Sequence, residues 1–144
     1  MQTVKQLLQT KGFDVWSVAP DTSVYDALAL MADKNIGALL VLDNGKVVGI
    51  FSERDYARKV VLKGKTSRDT PVSEVMTSRV VYLRPEQTIE DCMALMTDKH
   101  IRHLPVLEDN QAIGVISIGD VVKTIISEQE FMIQQLENYV TGSR

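Results

Sequence analysis

Two stretches decide how this chain is read: "GIFSERD" at residues 49–55 and "GVISIGD" at residues 114–120. Each reads as a strand running into a helix, with Ser52 or Ser117 as the N-cap and an aspartate three residues on. Ser-x-x-Asp has the spacing of a capping box, in which two otherwise unpaired amides at a helix start are satisfied reciprocally. A single such segment is an ordinary helix start. Its return in register, 65 residues later, prompts a comparison of the whole chain with itself. Sliding the sequence by 65 residues aligns 15–61 with 80–126 without a gap, and fifteen of the 47 pairs are identical. Pro20/Pro85, Asp26/Asp91, Gly49/Gly114, Ser52/Ser117 and Asp55/Asp120 are among them. The chain is an internal duplication of one supersecondary unit.

Each copy parses in the same way. A short strand ("DVWSV" or "RVVYL") leads to a proline turn and then to an amphipathic helix over 23–34 or 88–99. Ser23 and Thr88 are the N-caps, and apolar residues at 24, 27, 28, 31 and at 89, 92, 93, 96 share one helix face. Two strands follow, joined by "DNGK" in the first copy and "EDNQ" in the second; the former is a strong hairpin signal, the latter a weaker one. A second helix starts at Ser52 or Ser117. The order is β-α-β-β-α, twice. Residues 3–10 form a further short helix stopped by Gly12, and the polar linker carries a helical turn near 72–76. The last helix continues its apolar stripe to about Val140, well past the end of its counterpart. The chain thus divides into 1–68 (N-terminal segment and first repeat), 69–127 (linker and second repeat) and 128–144 (helical extension).

Composition narrows the function. The 44% of hydrophobic residues suffices for a core, and a net charge of −3 gives no overall attraction to nucleic acid or an anionic membrane. A third reading, nucleic-acid binding through the basic segments 54–59 and 63–68, is disfavoured by that acidity. The lone cysteine, Cys92, excludes an internal disulfide and a multi-cysteine metal site. The N-terminal "MQTVKQLLQTKG" lacks the pattern of a signal peptide, and no apolar run reaches membrane-spanning length. The expectation is a soluble, cytoplasmic protein without a membrane partner.

The paired β-α-β-β-α units, "EVMT" at 74–77, "RHLPV" at 102–106 and the two Gly-x-x-Ser-x-x-Asp segments together resemble the cystathionine-β-synthase (CBS) domain family, over about residues 11–126. The resemblance implies an α/β (α+β) tandem, its two repeats packed sheet to sheet about a pseudo-two-fold axis. It further implies clefts between the repeats that take an adenosine-containing ligand: AMP, ADP, ATP, NAD or S-adenosylmethionine. Family members sense such ligands rather than transform them.

The residues supply matching chemistry. Asp55 and Asp120 are carboxylates able to accept hydrogen bonds from both hydroxyls of a ribose. Ser52 and Ser117 stand where a helix N-terminus presents amides to a phosphate, and Ile50 and Val115 offer an apolar wall for a purine. Arg102 and His103 replace Gly37 and Ala38 of the first copy. Arg102 suits phosphate by its planar donor geometry, and His103 can donate to phosphate or base. By resemblance, this stretch in either copy runs near the pseudo-axis and reaches both clefts. By resemblance also, Lys11 and Trp16 face the cleft of Asp120, while Thr77 and Val81 face that of Asp55. Trp16 is read first as core. Arg54, against Gly119 in the second copy, makes the two clefts non-equivalent.

Catalysis finds little support. Cys92 falls on the buried face of a helix, His100 and His103 lack a completing metal set, and there is no P-loop or dinucleotide fingerprint. The sequence therefore reads as a non-enzymatic, regulatory adenine-nucleotide sensor, expected to form a homodimer and to act on a partner protein. The alternative is a structural or interaction module with vestigial clefts that oligomerises through its C-terminal helix.

Overall fold

Helix α1 (Val4–Lys11) opens the chain, with Thr3 and Gln6 forming a capping box at its start and Gly12, at φ 114°, ending it. A computed structural model describes residues 2–141. The first copy comprises β1 (Ser17–Val18), α2 (Val24–Lys34), β2 (Ala38–Asp43), β3 (Lys46–Ser52) and α3 (Glu53–Asp55), which continues as a π-helical turn over Tyr56–Val61. A 3₁₀ turn, Val72–Glu74, follows Pro71. The second copy comprises α4 (Ile89–Lys99), β4 (His103–Glu108), β5 (Gln111–Ser117) and the long α5 (Ile118–Thr141).

Local rules account for most of these boundaries. Ser23 and Thr88 accept from the amides of Asp26 and Asp91, and α2 and α4 both end on a left-handed residue, Asn35 and His100. Asn44 and Gly45 turn one hairpin at positive φ; Asp109 and Asn110 turn the other, which confirms the weaker signal. Opposite Gly49 and Gly114, both hairpins shift register at the same place, between Val41 and Leu42 and between Val106 and Leu107. That shared β-bulge is inherited with the duplication.

The opening strands are shorter than expected. In the first copy only Ser17–Val18 pairs, parallel to Leu40–Val41. In the second, residues 79–83 form no strand. Thr77 bridges to Ile50 of the first copy while Leu83 bridges to Val106 of the second, so the segment between them crosses from one sheet to the other. A backbone divided between two partners cannot make a continuous ladder.

The two cores exchange their leading segments. Val4, Leu7 and Leu8 of α1 are buried with Leu83, Ile89, Cys92, Leu104 and Ile116 of the second copy. Val72 and Val75 are buried with Val24, Leu39, Val41 and Phe51 of the first. Backbone bonds fix both exchanges: Val4 and Lys5 donate to Gln87 and Pro85, and Val72 and Ser73 donate to Thr22 and Pro20. A division at 68/69 therefore follows chain order, whereas packing ties each half to the other's leader. Strands β3 and β5 touch where the two sheets meet. Among the described residues no helix is long and apolar enough to cross a membrane.

Candidate ligand cleft

Both Ser-x-x-Asp segments are capping boxes. The Asp55 amide donates to Ser52 Oγ (3.2 Å) and the Ser52 amide to Asp55 Oδ2 (3.0 Å). Ser117 and Asp120 repeat the exchange at 3.2 and 2.8 Å. The next amides are taken as well: Glu53 donates to the Gly37 carbonyl and Ile118 to that of Arg102. The expected anion site on free amides is thus largely consumed by the fold, and phosphate contacts fall to side-chain cations.

The two carboxylates differ in their remaining partners. Asp55, only 7% exposed, also receives the Thr77 hydroxyl (3.1 Å) and Lys59 Nζ (2.9 Å) on Oδ1. Lys59 follows by one helical turn and is 42% exposed, so it is the exchangeable member of the set. Asp120 is instead held by Lys11, whose Nζ lies 2.6 Å from Oδ2 and 2.5 Å from the Val115 carbonyl. Lys11 ends α1, so the segment exchange delivers it there. Burial by itself would raise the Asp120 carboxyl, but the bonds from Lys11 and Ser117 hold it below the usual carboxylate range.

A cleft of about 880 Å³ opens between the copies at Asp55. Of the expected residues, Ile50, Ser52, Arg54 and Asp55 line it from the first copy, with Gly37. Thr77, Val81, Arg102 and His103 line it from the second. Arg54 spans the gap, donating to the His100 carbonyl at the end of α4 (2.5 Å), where the helix dipole favours a cation. The remaining candidates lie elsewhere. Ala38 is buried in its sheet; Lys11, Val115, Ser117 and Asp120 form the second, lysine-filled site. Trp16 is not core: it is 37% exposed, and Lys34 of α2 sits over its ring at 4.3 Å.

Sequence reasoning missed Glu53, Arg58, Lys59, Arg79 and Lys99, all of which line the cleft. Helical spacing carried a signal for two of them, since Arg58 follows Arg54 by four residues and Lys59 so follows Asp55.

His103 stands between the two sites. Burial lowers its pKa, as do the charges of Lys11 and Arg102, against the opposing pull of Glu53 and Asp120. A neutral imidazole thus separates the lysine-filled site from the open cleft. Gly37 makes room for this meeting. A Cβ there would fall 2.9 Å from Glu53 Oε1 and 3.2 Å from His103 Cε1, inside the range where the neighbours must shift.

The duplicated unit is matched over residues 4–62 and again over 72–127 by the model of the CBS domain. The chain belongs to the CBS-domain family. CBS domain-containing protein CBSX3, mitochondrial, of Arabidopsis thaliana is 38% identical over 150 residues, covering 97% of this chain and 72% of the relative. A protein of solved structure with CBS domains from Burkholderia ambifaria MC40-6 is 50% identical, with a TM-score of 0.85 over 89% of this chain and 96% of its own. The CBS domain pair of protein MJ0100, solved in complex with 5′-methylthioadenosine and S-adenosyl-L-methionine, shares the fold at 22% identity, with a TM-score of 0.80 over 89% and 98% of the two chains. The tandem CBS architecture of this chain is therefore established.

Proposed function

We propose that this CBS pair is a regulatory module that binds an adenine nucleotide in the cleft at Asp55. The observation that carries the reading is the buried Asp55 carboxylate, facing a cleft of about 880 Å³ with a displaceable lysine on its Oδ1. A ribose diol offers two hydroxyl donors that replace the Lys59 ammonium, while the capping bonds on Oδ2 remain. Ile50 and Val81 provide apolar surface for the base, and Arg54 and Arg102 provide forked donors for phosphate. The MJ0100 pair holds two adenosine compounds on this fold, which supports adenosine ligands as the class to test.

Binding transmits a signal only if it favours one arrangement of the copies over another. Arg54 supplies the means: a phosphate that engages it competes with the His100 carbonyl, the contact that ties the copies together across the cleft. No covalent chemistry is needed. The Cys92 thiol is buried, and desolvation with the nearby Asp120 charge pushes its pKa up to about 11, which keeps it protonated and unreactive.

Calorimetric titration with AMP, ADP, ATP, NAD and S-adenosylmethionine tests the reading, using protein refolded free of carried-over ligand. Asp55→Asn keeps an acceptor for the Ser52 amide but loses the charge-assisted ribose bonds, and is expected to weaken binding by about tenfold or more. Unchanged affinity in that variant sinks the assignment.

A second reading concerns assembly. On α5, Phe131, Met132, Ile133, Leu136, Tyr139 and Val140 are each more than half exposed. An apolar stripe of that length favours a homodimer paired through this helix, compatible with either a sensing or a scaffolding role.

A further inference from the structure

The charge of the cleft is opposite to that of the chain. Arg54, Arg58 and Lys59 enter from the first copy, and Arg79, Lys99 and Arg102 from the second. Only Glu53 and Asp55 oppose them there, leaving a local excess of four positive charges in a protein whose net charge is −3. Most of this excess is not neutralised by the fold. Lys59 alone holds a close carboxylate, that of Asp55; Lys99 lies 3.9 Å from Asp98, and Arg54 is on a carbonyl. Arg58, Arg79 and Arg102 meet no carboxylate among the described residues. Arg54 and Arg58 are also four residues apart on one helical stretch, a like-charge spacing that disfavours the free state.

We infer that the Asp55 cleft selects a ligand carrying a chain of three phosphates, and rejects one whose reacting end is cationic, such as S-adenosylmethionine. This rests on the nucleotide reading above and goes beyond it in naming the phosphate chain as the selected feature. A walled cleft concentrates the field of its lining charges. Guanidinium forks match phosphate oxygens two at a time, so each added phosphate gains further donors. An excess of four charges matches a triphosphate with its terminal group ionised. The same field repels a sulfonium and a free divalent cation alike, so the arginines and lysines neutralise the phosphates in place of Mg²⁺.

The test is calorimetry on the full chain with AMP, ADP, ATP, S-adenosylmethionine and inorganic tripolyphosphate, all free of metal, at about 50 and about 200 mM salt. Affinity is expected to rise from AMP to ATP by about tenfold per phosphate, to fall with salt most steeply for ATP, and to weaken when Mg²⁺ is added. Arg79→Glu lies outside both cores and should flatten the series without lowering the unfolding midpoint. Equal affinity for AMP and ATP, or tighter binding of S-adenosylmethionine, overturns the inference while leaving an adenosine site standing. Tripolyphosphate binding as tightly as ATP does the reverse: it supports the phosphate chain and removes the adenosine. Failure of every compound to bind overturns both.

Discussion

Leu8→Ala and Gly114→Ala should each destabilise the protein and should partly cancel when combined. Leu8 of α1 is fully buried in the core of the second copy, and its side chain lies over the backbone of Gly114 on β5. A Cβ built on Gly114 falls 2.6 Å from Leu8 Cδ2 and 3.0 Å from Cδ1. Gly114 pairs with Val106 beside the β-bulge but is not among the residues at positive φ, so an alanine there is a question of space and not of backbone strain. Overpacking of this kind costs about 1–3 kcal/mol. Truncating Leu8 costs about 2–5 kcal/mol through lost burial and the cavity left behind. In the double variant the new methyl enters the space that Leu8 vacated. The combined loss should fall short of the sum by on the order of 1–2 kcal/mol, well beyond the ~0.5 kcal/mol within which independent sites add. Urea unfolding of the four proteins, analysed at a common m-value, gives the cycle directly. Additive losses would refute the placement of α1 on the second copy, and with it the delivery of Lys11 to Asp120.

Three further outcomes follow from the same geometry. Because folding lowers the pKa of His103, the unfolded chain binds more protons below its ordinary value of about 6.5. Stability is therefore expected to be flat above that pH and to fall as pH descends from it, and a urea midpoint unchanged between about pH 7.5 and 5.5 would contradict the burial of His103. Lys11→Met removes a pair that is 37% exposed on the lysine side, so it should cost no more than about 1 kcal/mol. The same variant should raise nucleotide stoichiometry from one to two per chain by freeing Asp120, and unchanged stoichiometry would show that Lys11 does not block that site. Truncation after Ser127 removes the exposed stripe of α5, and light scattering should report a dimer becoming a monomer; a monomer before and after would rule out pairing through this helix.

What could be read from the residues and what could not divides by the range of the interaction. The duplication, the caps at Ser23, Ser52, Thr88 and Ser117, the helix faces and both hairpin turns were legible. The duplication shows in the match of the chain to itself; each of the others is settled by groups within about four residues of one another, so sequence spacing and spatial spacing coincide. The capping box in "GIFSERD" was likewise legible, and the pairing of Asp55 with a cleft was implied by the resemblance to the CBS family. The role of Arg58 and Lys59 was not legible. Arg54 was already assigned to a cleft, but these two spoke only for nucleic acid until the fold set them across from Arg79, Lys99 and Arg102, because nothing local distinguishes a solvated face from a cleft wall.

Trp16 illustrates the same limit. Its size argued for the core, but the short strand β1 leaves it over Lys34 at the surface. The amino-acid sequence by itself determined two copies of one unit, the caps within them and their hairpin turns. Only the tertiary structure decided how the copies trade their leading segments in the two cores, that Lys11, which the resemblance had turned toward Asp120, closes that site with an ion pair, and that the other site stays open and positive. Those outcomes depend on which surfaces meet, and the free energy of burying Leu8 or Val72 rewards any partner that excludes water. At Gly49 and Gly114 the missing side chains leave room for Met76 and Leu8 to pack against the two sheets.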